Sequence, residues 1–279
     1  MKIVAGLGSI DEYIPYVLAG ADELFCGYVP YNWTKKYGTV LPLNRREVLA
    51  YNVQLGSFSE LEILSAMIRR YRKPVHIAMN SLYYIPEQYE EIADIVKQCM
   101  KIGFDSFILA DPALILYLRQ KGISCKIHLS GEVGEMNREA IKVFREMGIG
   151  RIIFHRKNTV ASMRQMIEAV NAEKLEFEAF ALNELCQFTG AFCNSLHCDE
   201  MGYLCRTTYW GDAEMEERME RVMKRTLETE EQQYLCGKSG CALCALPQLE
   251  AAGITHLKLV GRGNYVEDMI QDIRNLKAA

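Results

Sequence analysis

Eight short apolar runs alternate with helix-patterned segments along this chain of 279 residues, and this alternation restricts the possible folds more than any other feature. The pattern is typical of consecutive strand–helix units that build a parallel sheet. Eight such units in one chain favour a closed barrel over an open doubly wound sheet, so we predict an α/β fold of the TIM-like (β/α)8 type. The runs are Met1 to Leu7, Glu23 to Cys26, Pro74 to Met79, Ser106 to Ala110, Cys125 to Leu129, Arg151 to His155, Leu175 to Leu182 and His256 to Val260.

The repeat is interrupted by a long insertion between the seventh and eighth strands. We predict that residues 1–279 form a single barrel domain and that residues 184–245 are a cysteine-rich insertion within it. The active sites of such barrels lie at the carboxyl ends of the strands, and the insertion begins there. It holds seven of the ten cysteines: Cys186, Cys193, Cys198, Cys205, Cys236, Cys241 and Cys244.

Composition narrows the class of protein. Apolar residues make up 49% and charged residues 24% of the chain, as in ordinary soluble domains. The net charge of −4 and the lack of a long basic tract argue against general nucleic-acid binding. The N-terminal residues do not form a signal peptide, and the sequence has no apolar run long enough to span a membrane. We therefore expect a cytoplasmic protein, in which disulfides are disfavoured.

The spacing of the clustered cysteines leaves three interpretations open. Structural zinc sites usually have two pairs of closely spaced ligands, but only Cys241 and Cys244 form such a pair here. A [4Fe–4S] cluster needs about four thiolates, whose spacing differs between families and can be wide. Free thiols or disulfides are the third possibility.

Polar residues just past the predicted strands are the candidate site residues. We expect His128, His155 and Glu184 to handle protons near a substrate, because imidazole and carboxyl groups serve as general acids and bases. We expect Asn80, Arg156 and Arg262 to bind the substrate, since guanidinium groups match anionic groups. Further residues at strand ends are Cys26, Tyr28, Asp111, Ser130, Glu132, Asn183 and Gly261, of which Asp111 is expected to cap a helix.

Several segments, taken in order, resemble the peptidase U32 family, the so-called collagenase-like proteases. They are AGADELFCGY near the start, ILADPALILYLR and HLSGEVGEMN in the middle, a C-x6-C pair after the seventh strand, a later Cys–Arg pair, and LKLVGR near the end. The resemblance covers nearly the whole chain and implies a TIM-like barrel.

The resemblance also implies a cofactor and its ligands. Several family members hold a [4Fe–4S] cluster and act in oxygen-independent hydroxylation, either in ubiquinone biosynthesis or on tRNA and rRNA bases. By position in the motifs, the cluster ligands here are Cys186, Cys193, Cys205 and Cys244, with Cys241 as the nearest substitute for Cys244. One departure is Val260, which stands where the family often has a glutamate.

Three functions follow as hypotheses. The first is an iron–sulfur enzyme of hydroxylation or related redox chemistry, acting on a small anionic substrate or an RNA base with an electron donor or a second family protein as partner. The second is a peptidase, for which the sequence has no HExxH or GxSxG motif. The third is a noncatalytic protein with a structural zinc site.

Overall fold

The computed structural model describes residues 1–38, 41–45, 53–170, 174–183 and 240–279, with the single positions 217, 218 and 221. Eight parallel strands pair in sequence order, and the last pairs with the first, so the barrel is closed as predicted. The strands are β1 (Lys2–Leu7), β2 (Glu23–Gly27), β3 (Val75–Met79), β4 (Ser106–Leu109), β5 (Lys126–Leu129), β6 (Arg151–Ile153), β7 (Glu176–Leu182) and β8 (His256–Leu259).

Helices connect the strands on the outside of the barrel. Among the helices that the structure describes, none combines the length and apolar character needed to cross a bilayer. They are α1 (Tyr13–Ala19), α2 (Tyr31–Tyr37), α3 (Phe58–Tyr71), α4 (Pro86–Lys101), α5 (Pro112–Gln120), α6 (Arg138–Glu146), α7 (Val160–Val170), α8 (Leu246–Ala251) and α9 (Val266–Ala278).

Side-chain caps fix several helix starts. The Asp111 carboxylate accepts a hydrogen bond from the backbone N–H of Ala113 (2.8 Å), which confirms its predicted capping role. Asn137 caps α6 in the same way. Helix α2 was not predicted, because its residues lie in an aromatic-rich connection without a clear helical period. The charged helix predicted within 211–231 falls outside the described ranges.

Strand ends differ slightly from the sequence-based expectation. The sixth strand stops at Ile153 rather than His155, and the fourth and eighth each stop one residue early. Apolar content continues past the last paired residue in each case, so it does not mark where pairing ends. The early end of β6 affects the candidate active site, because His155 then lies in the loop after the strand and not in the strand itself.

The lower interior of the barrel holds a network of buried charges instead of aliphatic side chains. The Arg151 guanidinium contacts Glu23 (Nη2 to Oε2, 2.7 Å) and Glu178 (Nη1 to Oε2, 2.9 Å). Strands β2 and β6 lie on opposite sides of the closed barrel, so the contact with Glu23 crosses its interior. His76 and His256 each approach Glu23, within 2.9 and 3.2 Å, and Lys258 contacts Glu178 at 2.9 Å.

The network keeps its carboxylates ionised. Burial opposes the charged form of Glu23, but hydrogen bonds from His256 and His76 and the charge of Arg151 outweigh it, so the pKa of Glu23 lies well below its usual range. Burial likewise opposes ionisation of Glu178, whose pKa is lowered by Lys258 and Arg151. The charges are therefore balanced within the barrel, and removal of one leaves its partners uncompensated.

We predict that Arg151→Met destabilises the protein by about 3–5 kcal/mol, because it leaves buried carboxylates without a cation. Urea unfolding followed by circular dichroism measures the loss. The matched control is Arg138→Met, since Arg138 pairs with Glu139 on the surface with both side chains more than 60% exposed. Equal losses in the two variants would contradict a stabilising role for the interior network.

Candidate active site

A segment of the long connection after β2 lies over the mouth of the barrel, at the carboxyl ends of the strands. Residues 41–45 are held by the loop that follows β3. The Tyr84 hydroxyl donates to the Leu43 carbonyl (2.6 Å), and Ser81 Oγ donates to the Pro42 carbonyl (2.5 Å). The backbone N–H of Arg45 donates to Asn80 Oδ1 at 3.1 Å. These bonds bring Arg45 to the mouth, although it is far from the strand ends in sequence.

The Glu132 carboxylate lies between two guanidinium groups at the mouth. Arg45 Nε is 3.0 Å from Glu132 Oε2, and Arg156 Nη1 is 3.5 Å from Glu132 Oε1. Glu132 is positioned by the short turn after β5, where its backbone N–H donates to Ser130 Oγ at 3.2 Å. Asn80 Nδ2 donates to the same hydroxyl at 3.3 Å. Residues from three strand ends and the long connection thus converge on one carboxylate.

Arg262 lies above the end of β2, close against Gly27. A Cβ atom at Gly27 would come within 2.5 Å of Arg262 Nη1 and 3.0 Å of Asn44 Nδ2. Arg262 is buried, and its guanidinium carbon is 5.9 Å from the centre of the Phe25 ring. Because Asn44 precedes Arg45, Arg262 adjoins the segment that carries the Arg45–Glu132 pair. The mouth therefore concentrates guanidinium groups that suit an anionic ligand.

His155 is fully buried beside this cluster. Its Nδ1 accepts a hydrogen bond from the backbone N–H of Lys157 (3.2 Å), which leaves the proton of the neutral ring on Nε2. Glu135 Oε1 lies 3.9 Å from the same nitrogen. Burial, reinforced by the Arg156 charge, lowers the pKa of His155 to about 4. At neutral pH the ring is therefore a neutral hydrogen-bond donor through Nε2.

His128 lies lower, in the barrel interior. Its ring centre is 4.4 Å from that of His76, and the ring is almost completely buried. Its Nδ1 has no hydrogen-bond partner among the described residues. Burial, with the nearby His76 and Arg151, holds the pKa of His128 well below 6.5. His128 is thus placed beneath the Arg–Glu cluster and not within it.

Two of the predicted cysteine candidates lie beside the end of β7. Residues 240–242 run antiparallel to it, with the Asn183 N–H donating to the Gly240 carbonyl (2.7 Å) and the Ala242 N–H to the Ala181 carbonyl (2.8 Å). Cys241 and Cys244 are exposed there. Within the described ranges, no three His, Cys, Asp or Glu side chains are grouped as metal ligands. The predicted site residues Glu184, Cys186, Cys193 and Cys205 lie outside those ranges.

The other described cysteines belong to the core. Cys26, Cys99 and Cys125 are buried. Burial raises the pKa of the Cys26 and Cys99 thiols to about 12 and also raises that of Cys125. A thiol must ionise to act as a nucleophile or metal ligand, so these three serve as small apolar side chains.

The structure brings together Asn80, Arg156 and Arg262 from the predicted set at the mouth, with His155 next to Arg156. Their roles in binding and catalysis remain predictions. Sequence reasoning missed Arg45 and Glu135 as site residues. Arg45 had one signal, because the long connection that carries it is rich in arginine and aromatic residues and too long for a plain turn.

Comparison with known proteins gives one family over most of the chain. The model of peptidase family U32 matches residues 8–279. The tRNA hydroxylation protein P1 of Bacillus subtilis (strain 168) is 22% identical over 214 residues, which is 75% of this chain and 46% of that protein. The tRNA hydroxylation protein P of Escherichia coli (strain K12) is 25% identical over 174 residues, 62% of this chain and 34% of that protein. The chain therefore spans less than half the length of these relatives.

The solved structure of the U32 peptidase Mk0906 overlaps with 65% of this chain and 69% of its own, at 14% identity and a TM-score of 0.47. The barrel assignment rests on the strand pairing of the chain itself.

We predict that His155 and His128 both stay neutral as the pH falls from 8 through 6.5, because burial lowers both pKa values, that of His155 to about 4. Two-dimensional NMR of the imidazole nitrogens measures the protonation state of each ring as a function of pH. The signal that disappears in the His155→Gln variant is assigned to His155. The unfolded chain takes up protons near pH 6.5 but the folded chain does not, so the free energy of unfolding falls as pH drops from about 6.5 towards 4. Titration of either ring near pH 6.5 would contradict the burial argument.

Proposed function

Because the chain belongs to peptidase family U32, we propose that it acts in the oxygen-independent hydroxylation of a tRNA base. The relatives named tRNA hydroxylation proteins support the substrate class. The observation that carries the proposal is the mouth of the barrel, where Arg45 and Arg156 flank Glu132 and Arg262 lies above Gly27. A mouth that gathers guanidinium groups suits a nucleotide, whose phosphates are anionic.

Within this proposal, the described side chains have distinct tasks. Arg156 and Arg262 bind an anionic group of the substrate, and Asn80 donates or accepts hydrogen bonds through its amide. His155 holds its proton on Nε2 at neutral pH and donates a hydrogen bond from there, since its pKa of about 4 makes it a weak proton acceptor. Glu184 remains the proposed proton acceptor, from its position just after β7 in the sequence.

The proposed cofactor is a [4Fe–4S] cluster held by Cys186, Cys193, Cys205 and Cys244. The fit is supported by the surroundings of Cys244, which is exposed and lies two residues after the 240–242 segment that pairs with the end of β7. Cys186 follows Asn183 by three residues, which span at most roughly 10 Å, and Asn183 is bonded to Gly240. The described end of the insertion carries Cys241 and Cys244 beside the end of β7, and Cys186 follows that strand closely in the sequence. When bound, such a cluster supplies one-electron transfer.

The peptidase hypothesis has less support. A peptidase needs an activated nucleophile or a metal-bound water. The buried thiols of Cys26, Cys99 and Cys125 do not meet this need, because burial raises the pKa of each. A thiol nucleophile would therefore have to come from the 186–244 stretch, where the same cysteines are the proposed cluster ligands.

We predict about four iron and four sulfide ions per chain, with broad absorption near about 400 nm, in protein purified without oxygen. A single alanine substitution should abolish cluster binding, because it removes one thiolate ligand. This applies to Cys186, Cys193, Cys205 and Cys244. The matched control is Cys241→Ala, which removes the other exposed thiol beside β7 and should retain the iron. Zinc in place of iron would favour the structural-site hypothesis. A metal-free protein with an alkylation-sensitive thiol and peptide cleavage would favour the peptidase.

A bacterial host that lacks its own tRNA hydroxylation protein P provides the test of activity. We predict that expression of this chain restores a tRNA nucleoside that is heavier by one oxygen atom, detected by mass spectrometry of digested tRNA. Arg156→Met should reduce its level at least about tenfold, because the substrate's anionic group loses a charged hydrogen bond. The matched control, Arg138→Met on the outer surface, should leave it unchanged. The proposal would be contradicted if tRNA from the host that expresses the wild-type chain lacked the heavier nucleoside.

A further inference from the structure

Three exposed tyrosine rings lie at the mouth end of the barrel. Tyr31, Tyr83 and Tyr265 are 75%, 70% and 80% exposed. Each comes shortly after the carboxyl end of a strand, namely β2, β3 and β8. Because β8, β1, β2 and β3 are consecutive neighbours in the closed barrel, the three rings lie along one arc of its rim. We call these three residues the tyrosine rim.

Exposed aliphatic side chains are distributed differently. Leu18, Ile63, Leu116 and Val143 are also exposed, but they lie on the outer helices α1, α3, α5 and α6. In the part of the chain that the structure describes, the large exposed aromatic side chains are therefore confined to the rim that surrounds the candidate active site. Isolated exposed apolar residues need no explanation, whereas exposed aromatic rings that all border one arc of a candidate site offer flat surfaces to a binding partner.

The backbone that carries the rings is anchored. Tyr83 precedes Tyr84, whose hydroxyl bonds to the Leu43 carbonyl. Tyr31 lies in the same short helix as Trp33, which is fully buried and donates from Nε1 to the Leu41 carbonyl at 3.2 Å. The segment at 41–45 that reaches the mouth is therefore tied to the backbone next to both rings. Rings on a fixed backbone lose little conformational entropy when a flat partner stacks on them.

We propose that the tyrosine rim binds unpaired bases of an RNA loop by stacking, while one base of that loop enters the mouth. This inference rests on the proposed function. An enzyme that acts on a base must take it out of its stack, so the neighbouring bases lose a stacking partner as well. Exposed aromatic rings next to the site replace those contacts, as in proteins that recognise single-stranded loops.

The charges around the rim indicate that stacking, rather than attraction to phosphates, supplies the affinity. Lys35 and Lys36 follow Tyr31, but Lys36 is paired with Glu91 at 2.8 Å. Glu87 lies in the first turn of α4 and Glu267 in the first turn of α9, close in sequence to the other two rings. A regular duplex hides its base faces and offers the rim only its phosphates. The tyrosine rim therefore selects unpaired bases.

The test is fluorescence anisotropy with the full chain and a labelled RNA hairpin that has an unpaired loop. The blunt duplex of the same stem is the RNA control. One variant carries Tyr31→Ala, Tyr83→Ala and Tyr265→Ala, and a second carries phenylalanine at the same positions. The matched protein control carries Leu18→Ala, Leu116→Ala and Val143→Ala, which remove exposed side chains from outer helices.

We expect the wild type to bind the hairpin more tightly than the duplex. The triple alanine variant should lose at least about 100-fold in affinity, from the lower range of stacking energies per base. The phenylalanine variant and the helix control should bind as the wild type does.

Unchanged hairpin binding by the alanine variant would contradict the proposed binding by the tyrosine rim, but it would leave the proposed RNA substrate intact. Equal losses in the alanine and phenylalanine variants, or equal binding of duplex and hairpin, would overturn stacking. If the wild type does not bind the hairpin, both the stacking proposal and the proposed function are refuted.

Discussion

The contact between Arg151 and Glu23 across the barrel is the constraint on which the rest of the structure depends. It places a charge pair where most barrels of this type have branched aliphatic side chains. A buried pair stabilises only when its remaining donors and acceptors are satisfied, and here Glu178, His76 and His256 supply the missing partners. Paired side chains thereby occupy the lower interior, and the candidate site lies at the upper end.

The Phe25 ring separates this network from the mouth. The Lys258 ammonium lies 3.7 Å from its centre, and the Arg262 guanidinium carbon lies 5.9 Å from it. Both residues come from the end of the same strand, yet Lys258 is neutralised by Glu178 within the interior, whereas Arg262 lies over Gly27 at the mouth. One aromatic ring therefore contacts a cation of the structural network and a cation of the candidate site. The charged side chains beneath the mouth are paired with one another, and this pairing supports its floor.

The sequence predicted the barrel and the approximate positions of its strands, because apolar runs and helix caps such as Asp111 are local signals, but it placed the ends of three strands one or two residues too late. The resemblance to family U32 is also confirmed. Arg45 was not predicted as a site residue, since hydrogen bonds distant in sequence, such as that from its N–H to Asn80, decide where it lies. His128 and His155 looked equivalent in sequence. Their difference arises from strand length, because β5 includes His128 whereas β6 ends before His155.

Burial divides the described cysteines into two chemical groups. Cys26, Cys99 and Cys125 are surrounded by core side chains, and the raised pKa of each thiol keeps it protonated and inert. Cys244 is exposed and lies two residues past the 240–242 segment that pairs with the end of β7. Burial decides the outcome for the core thiols, because it outweighs the nearby charge of Arg262 at Cys26 and that of Arg119 at Cys125. We therefore confine the proposed thiolate chemistry to the cysteines of the 186–244 stretch, because the three core thiols are held protonated.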